Sequence, residues 1–152
     1  MPASKNEILD ALTKAYTMEV ETVINYLANS LYLEGVRAEA IKGALAADIQ
    51  EELTHAQQFG NRIKQLGGMV PGSLALKFNE KSLQPPSDST DVVAVIKGVI
   101  AAEEEAIKHY KAMVKLTQDD DFVTEDLARN ILGQEEAHRQ QFEGYLKEYS
   151  RH

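Results

Sequence analysis

Residues 51–59, "EELTHAQQF", and residues 134–142, "QEEAHRQQF", carry a Glu, a His three positions later and a Gln-Gln-Phe at identical offsets. Around the first, Ile41, Leu45, Ile49, Ala56, Phe59, Ile63 and Leu66 recur at three- and four-residue spacing, and around the second so do Leu127, Ile131, Phe142, Leu146 and Tyr149. That period is the signature of a helix with one buried face. Glu52 and Glu135 fall on the apolar face, and because residues three apart share a side, His55 and His138 follow them inward. Glu51 and Glu136 are rotated by about 100° and are expected to face outward or toward a helix boundary.

Two further helices extend the repeat. Glu19 precedes Tyr26 by seven residues and Glu103 precedes Tyr110 by seven, each pair within an apolar stripe. Glu19 to Glu52 is 33 residues and Glu103 to Glu135 is 32, so a hairpin turning at Gly35 and another turning near Asp119 each bring a Glu level with a Glu-x-x-His. The expected helices span about 5–34, 37–66, 91–117 and 124–149 of a single domain over 1–152, with a capping box at Ser4 and Glu7 opening the first. Between the second and third lies "PGSLALKFNEKSLQPPSDSTD" (71–91), where Pro, Gly, Ser and Asp break any period. Leu74, Leu76, Phe78 and Leu83 could still pack, so this stretch reads as a connection lying on the bundle. Its length allows it to run the full height of a helix, making the second and third helices parallel. The fold class is all-α: a four-helix bundle of two pseudo-twofold-related hairpins joined by a long crossover.

Composition narrows the chemistry. A chain of 152 residues with 26% charged residues and a net charge of -8 is a poor partner for nucleic acid or an anionic membrane surface. No stretch approaches the ~20 apolar residues of a membrane span and no signal-like start is present, so the expected location is the cytoplasm. There is no cysteine, which leaves His and carboxylates to hold any metal.

Four unpaired carboxylates in an apolar core would each cost several kcal/mol or take up protons. Two divalent cations balance Glu19, Glu52, Glu103 and Glu135, with the imidazoles of His55 and His138 as neutral nitrogen ligands. Oxygen-rich sites with one imidazole per ion suit iron or manganese better than zinc. A lone Glu-x-x-His on a helix is weak evidence, since surface Glu-His pairs are common; two in core register with matched partner Glu residues are not. Tyr26 and Tyr110 read as core tyrosines hydrogen-bonding to ligand carboxylates across the bundle. His109 lies off the Glu103 face, and Asp119, Asp120 and Asp121 read as a solvated turn.

One Glu from each of two helices plus Glu-x-x-His from each of the others resembles the ferritin-like di-iron carboxylate proteins over nearly the whole chain. With "EVETVINY" (19–26) and a His in both halves, it is most similar to the bacterioferritin branch. The resemblance implies two iron ions bridged by Glu52 and Glu135, with Glu19 and His55 completing one position and Glu103 and His138 the other. It further implies Fe(II) oxidation by oxygen or hydrogen peroxide in a homo-oligomer. Leu53 stands where bacterioferritins carry the haem-ligating Met, which argues against haem. "RQQFEGYLKEYSRH" (139–152) is short of the fifth helix of the large storage cages. Rubrerythrins are also similar, but this chain lacks their cysteine-bound iron and has Ala106 where they place an additional Glu. The expected function is therefore a ferroxidase-type oxidoreductase of iron homeostasis, the alternatives being a storage-shell subunit, a rubrerythrin-like peroxidase without the rubredoxin part, or a bundle whose metal is structural.

Overall fold

The side chain of Ser4 accepts the backbone N–H of Glu7 and the Glu7 side chain accepts that of Ser4, a reciprocal cap that starts α1 at Lys5–Tyr32. In this computed structural model, which describes residues 2–151, three more helices follow: α2 at Glu39–Gln65, α3 at Val92–Thr117 and α4 at Phe122–Tyr149. Short 3-10 turns occupy Val36–Ala38 and Ser73–Ala75, and no strand occurs among the described residues. Gly35, at φ 104°, makes the turn between α1 and α2. α2 ends in a Schellman motif: Gly67, at φ 82°, donates to Lys64 and Gly68 donates to Ile63.

Asp91 caps α3 by accepting the N–H of Ala94. Asp121 does more than sit in a solvated turn. It caps α4 through the N–H of Thr124 and pairs with Arg62 of α2 at 2.7 Å, so the α3–α4 turn is tied to the far hairpin. Arg37, just before α2, donates to the carbonyl of Tyr149 at the end of α4, and the Tyr149 hydroxyl donates back to the carbonyl of Arg37. These two ties, one at each end, run α2 antiparallel to α4. Contacts of Tyr26 with Glu103 and of Tyr110 with Glu19 run α1 antiparallel to α3. The hairpins α1–α2 and α3–α4 therefore dock with α2 and α3 parallel.

The core divides into two apolar clusters. One gathers Tyr26, Leu33, Ile41, Leu45, Leu83, Ile96, Val99 and Phe142; the other gathers Leu12, Ala15, Phe59, Ile63, Tyr110, Met113, Ala128 and Ile131. The layer between them is polar, and the six repeated Glu and His residues lie there. Of the crossover's apolar residues only Leu83 is buried; Leu74 and Phe78 are exposed, contrary to the expectation that they pack. The crossover is held instead by polar contacts. The carbonyl of Leu83 accepts from Asn29, and the buried carboxylate of Glu21 accepts the backbone N–H groups of Asn79 and Glu80.

Gly98 of α3 marks where this strap seats, because a Cβ there would run into the backbone carbonyl of Ser82. Alanine in a helix is intrinsically preferred over glycine by ~1 kcal/mol. Gly98→Ala is nonetheless expected to destabilise the protein by about 1–3 kcal/mol through overpacking, read as a lower midpoint in chemical denaturation. Among the described residues, no helix is long and apolar enough to cross a membrane.

Candidate metal centre

α1 supplies Glu19, α2 Glu52 and His55, α3 Glu103, and α4 Glu135 and His138, and all six are buried. The helical pitch that stacks i and i+3 side chains turns each His toward its own Glu and toward the partner helices. Nδ1 of His55 lies 3.5 Å from Glu19, 3.8 Å from Glu52 and 3.1 Å from Glu135. Nδ1 of His138 lies 3.2 Å from Glu52, 3.8 Å from Glu103 and 4.0 Å from Glu135. Two donor groups result, Glu19–Glu52–His55–Glu135 and Glu52–Glu103–Glu135–His138, each with one ligand atom per residue and all atoms within 4.8 Å of one another. Glu52 and Glu135 belong to both.

A buried polar atom without a partner costs roughly 1–3 kcal/mol, so native structures rarely leave one. Here Glu19 Oε2, Glu52 Oε1, His55 Nδ1, Glu103 Oε2, Glu135 Oε1 and His138 Nδ1 all lack a hydrogen-bond partner. Each of the six residues leaves one such atom, and those atoms converge on the two donor groups. Oxygen-rich sets with a single imidazole fit divalent iron or manganese.

The second oxygens of Glu19 and Glu103 are held by tyrosines. The Tyr26 hydroxyl donates to Glu103 Oε1 at 2.8 Å, and the Tyr110 hydroxyl donates to Glu19 Oε1, each from the opposite hairpin. Burial, and then the facing carboxylate, push both phenols above their ordinary range, so they stay protonated donors.

With protons as the only counter-charge, the cluster distributes them unevenly. Burial raises Glu19 and Glu135 well above the ordinary carboxylate value, and the charges of neighbouring carboxylates add to the rise. Burial also pushes Glu52 upward, but the proximity of Glu19, His138 and His55 outweighs it and leaves its carboxyl below the ordinary value. Burial pushes both imidazoles down; contacts with Glu19 and Glu52 overcome it and carry His55 up to about 10, and contacts with Glu103 and Glu52 carry His138 to about 11. A divalent ion entering the layer must displace these protons.

A cavity of about 360 Å³ opens between α1 and α3 beneath the crossover, with Glu19, Glu52, Glu103 and Glu135 at its floor and Lys14, Glu105 and Ser82 farther out. It is large enough for a small oxidant or a hydrated ion. His109 stands apart, its Nε2 donating to the carbonyl of Ala11, and burial lowers its pKa.

Two polar residues near the layer, Gln134 and Asp48, escaped the sequence reading, and for a third, Glu51, it did not foresee a contact with His138. Glu51, expected to face outward or toward a helix boundary, takes the boundary: it is partly exposed and places Oε2 3.0 Å from Nε2 of His138. Gln134 places Oε1 2.5 Å from Nε2 of His55. Asp48, raised to about 6 by burial despite the lowering effect of His138, stands 3.8 Å from the same His138 nitrogen. The one available signal was positional: Glu51 and Gln134 both immediately precede the repeated Glu.

Comparison with known proteins gives a match over residues 9–152 to the family described as ferritin, ferritin-like domain. The chain is 29% identical over 147 residues to a bacterioferritin of Desulfovibrio desulfuricans, covering 91% of this chain and 74% of that protein. It is 29% identical over 143 residues to a DNA protection during starvation protein of Pyrococcus furiosus, covering 92% and 77%. A dodecameric thioferritin, the bacterioferritin-related protein of Bacteroides fragilis, superposes with a TM-score of 0.80 at 26% identity over 98% of this chain and 89% of that one. A ferritin-like diiron-carboxylate protein of Bacillus anthracis shares the fold with a TM-score of 0.83 at 20% identity, over 96% and 99% of the two chains.

Proposed function

This chain belongs to the ferritin-like family, and from that premise we propose that its buried Glu-His layer binds two ferrous ions and passes their electrons to oxygen or hydrogen peroxide. The observation that carries the reading is the set of six partnerless ligand atoms, one from each of Glu19, Glu52, His55, Glu103, Glu135 and His138. The relatives support it: one is a bacterioferritin.

Iron would supply the redox chemistry, two ferrous ions giving one electron each, which with two protons from water reduces oxygen to hydrogen peroxide or hydrogen peroxide to two waters. The residues of the chain do the rest. Glu52 and Glu135, which belong to both donor groups, would serve both ions. Glu19 with His55, and Glu103 with His138, would complete the two separate positions. Four carboxylates offset the charge that rises on oxidation. Tyr110 and Tyr26 keep Glu19 and Glu103 aimed inward, and the cavity under the crossover admits the oxidant. Leu53 offers no sulfur to a haem iron.

The reading extends to a homo-oligomer, supported by the exposed stripe Ile24, Leu27 and Leu31 on α1 and by the dodecameric relative. In the test, metal-free protein is loaded anaerobically with two Fe(II) per chain, mixed with oxygen or with hydrogen peroxide, and followed by ferric absorbance. Oxidation well above that of free Fe(II) is expected, and the preferred oxidant separates an oxygen-using ferroxidase from a peroxidase. A rate equal to that of free Fe(II) with both oxidants would refute the proposal. Light scattering on the same sample distinguishes a shell from a dimer.

A further inference from the structure

The two halves of the centre match in their ligands and differ in what stands behind the histidines. The residue before each repeated Glu reaches across the bundle to the other half's imidazole. Glu51 Oε2 lies 3.0 Å from His138 Nε2, and Gln134 Oε1 lies 2.5 Å from His55 Nε2. The second oxygen of Glu51 is 3.8 Å from His55 Nε2, beyond hydrogen-bonding distance, and Asp48 stands 3.8 Å from His138 Nε2. In both rings Nδ1 faces the carboxylate layer, so with Nδ1 given to a metal ion the hydrogen is left on Nε2. His138 donates it to a carboxylate and His55 donates it to a neutral amide.

An amide orients an imidazole. A carboxylate also raises its basicity and adds negative charge near the ion it ligates. We infer that Glu51 and Gln134 are positioning residues that make the two metal positions unequal, the Glu103–His138 position holding a divalent cation more tightly than the Glu19–His55 position. The inference rests on the two-metal reading of the centre. Outer partners of this kind change metal affinity by about 10–100-fold, and the partial exposure of Glu51 places the expected effect near the lower end. The consequence for function is an order of filling: the first ion settles beside His138, and the position beside His55 is the one that exchanges.

Repulsion between two dications would split even identical positions into two steps, so variants decide the matter. The experiment titrates metal-free protein with Co(II), following visible absorbance and heat. Glu51→Gln keeps an acceptor in the same place and removes only its charge; a merely structural role predicts no change. The inference expects the tighter step to weaken about tenfold. Gln134→Glu is expected to tighten the weaker step by a similar factor, and it provides a gain of binding that misfolding cannot imitate. Glu103→Ala should abolish the tighter step and Glu19→Ala the weaker one. Unchanged steps in both charge variants, or a tight step that survives Glu103→Ala and vanishes in Glu19→Ala, would overturn the inference while leaving two-metal binding intact. Absence of any cobalt uptake by the unaltered protein would instead remove the two-metal reading beneath it.

Discussion

Glu52→Ala is expected to bring Fe(II) oxidation down to the rate of ferrous ion without protein, and to leave fewer than two tightly held divalent ions per chain. No other substitution outside Glu135 should do as much, because Glu52 belongs to both donor groups: one oxygen lies 3.8 Å from Nδ1 of His55 and the other 3.2 Å from Nδ1 of His138. Removing it takes a ligand from each ion and leaves three carboxylates against four positive charges. The loss should exceed the ~10–100-fold that an outer partner commands. The bundle itself should persist, since the apolar clusters on either side of the layer do not include Glu52. Glu136→Ala, at an exposed position on the same repeated motif, is expected to keep the unaltered rate. Stopped-flow absorbance with far-ultraviolet circular dichroism on all three proteins measures both halves of this expectation.

Chelation of the metal should have the next largest effect. An ion present at about a hundredfold above its dissociation constant adds ~2.7 kcal/mol to the folded state. For a chain of this size each kcal/mol moves the melting temperature by roughly 2–4 °C, so removal should lower it by about 5–10 °C for one position and more for two. The gap is expected to widen as pH rises. In the metal-free chain His55 and His138 hold protons up to about 10 and 11, whereas unfolded histidine releases its proton near 6.5. Glu19 and Glu135 likewise keep protons above the ordinary 4.5. From pH 6.5 to about 10 the folded metal-free chain therefore binds more protons than the unfolded one, and its stability falls as pH rises. Glu52 has the opposite sign, but its contribution changes only below 4.5. A metal-bound chain would carry neutral imidazoles and ionised carboxylates, so affinity for the ion is expected to grow over the same window. Melting curves with and without chelator at pH 6.5, 7.5 and 8.5 give the comparison; a gap that narrowed with pH would show the metal to be held elsewhere.

Much of this site could be read without coordinates because its signal is periodic and duplicated. Helical spacing put Glu52 and His55 on one apolar face, and the echo at Glu135 and His138 excluded coincidence. Equal chain lengths around two turns brought Glu19 and Glu103 to the same height. Even the tyrosines were legible: seven residues is two helical turns, which sets Tyr26 and Tyr110 far enough from Glu19 and Glu103 in their own helices to serve the carboxylate of the opposite hairpin.

The crossover's course was legible from its length, but what anchors it was not. It has no period, and its apolar residues misled: Leu74 and Phe78 are exposed while the charged Glu21 is buried beneath the strap, satisfied by two backbone N–H groups. Asp121 looked like one of three solvated acids; its cap on α4 and the approach of Arg62 from the other hairpin single it out.

By itself, then, the sequence determined the four helices, their buried faces and the six residues that converge between them, because those follow from a repeat of 3.6 residues and from chain length. Tertiary structure alone decided what the boundary residues do. Glu51 and Gln134 sit about a quarter-turn off the buried face, where a side chain can enter water or reach across to the next helix. The rotation and separation of α2 and α4 choose between the two, and those are set by the packing of the whole bundle, which no local pattern contains.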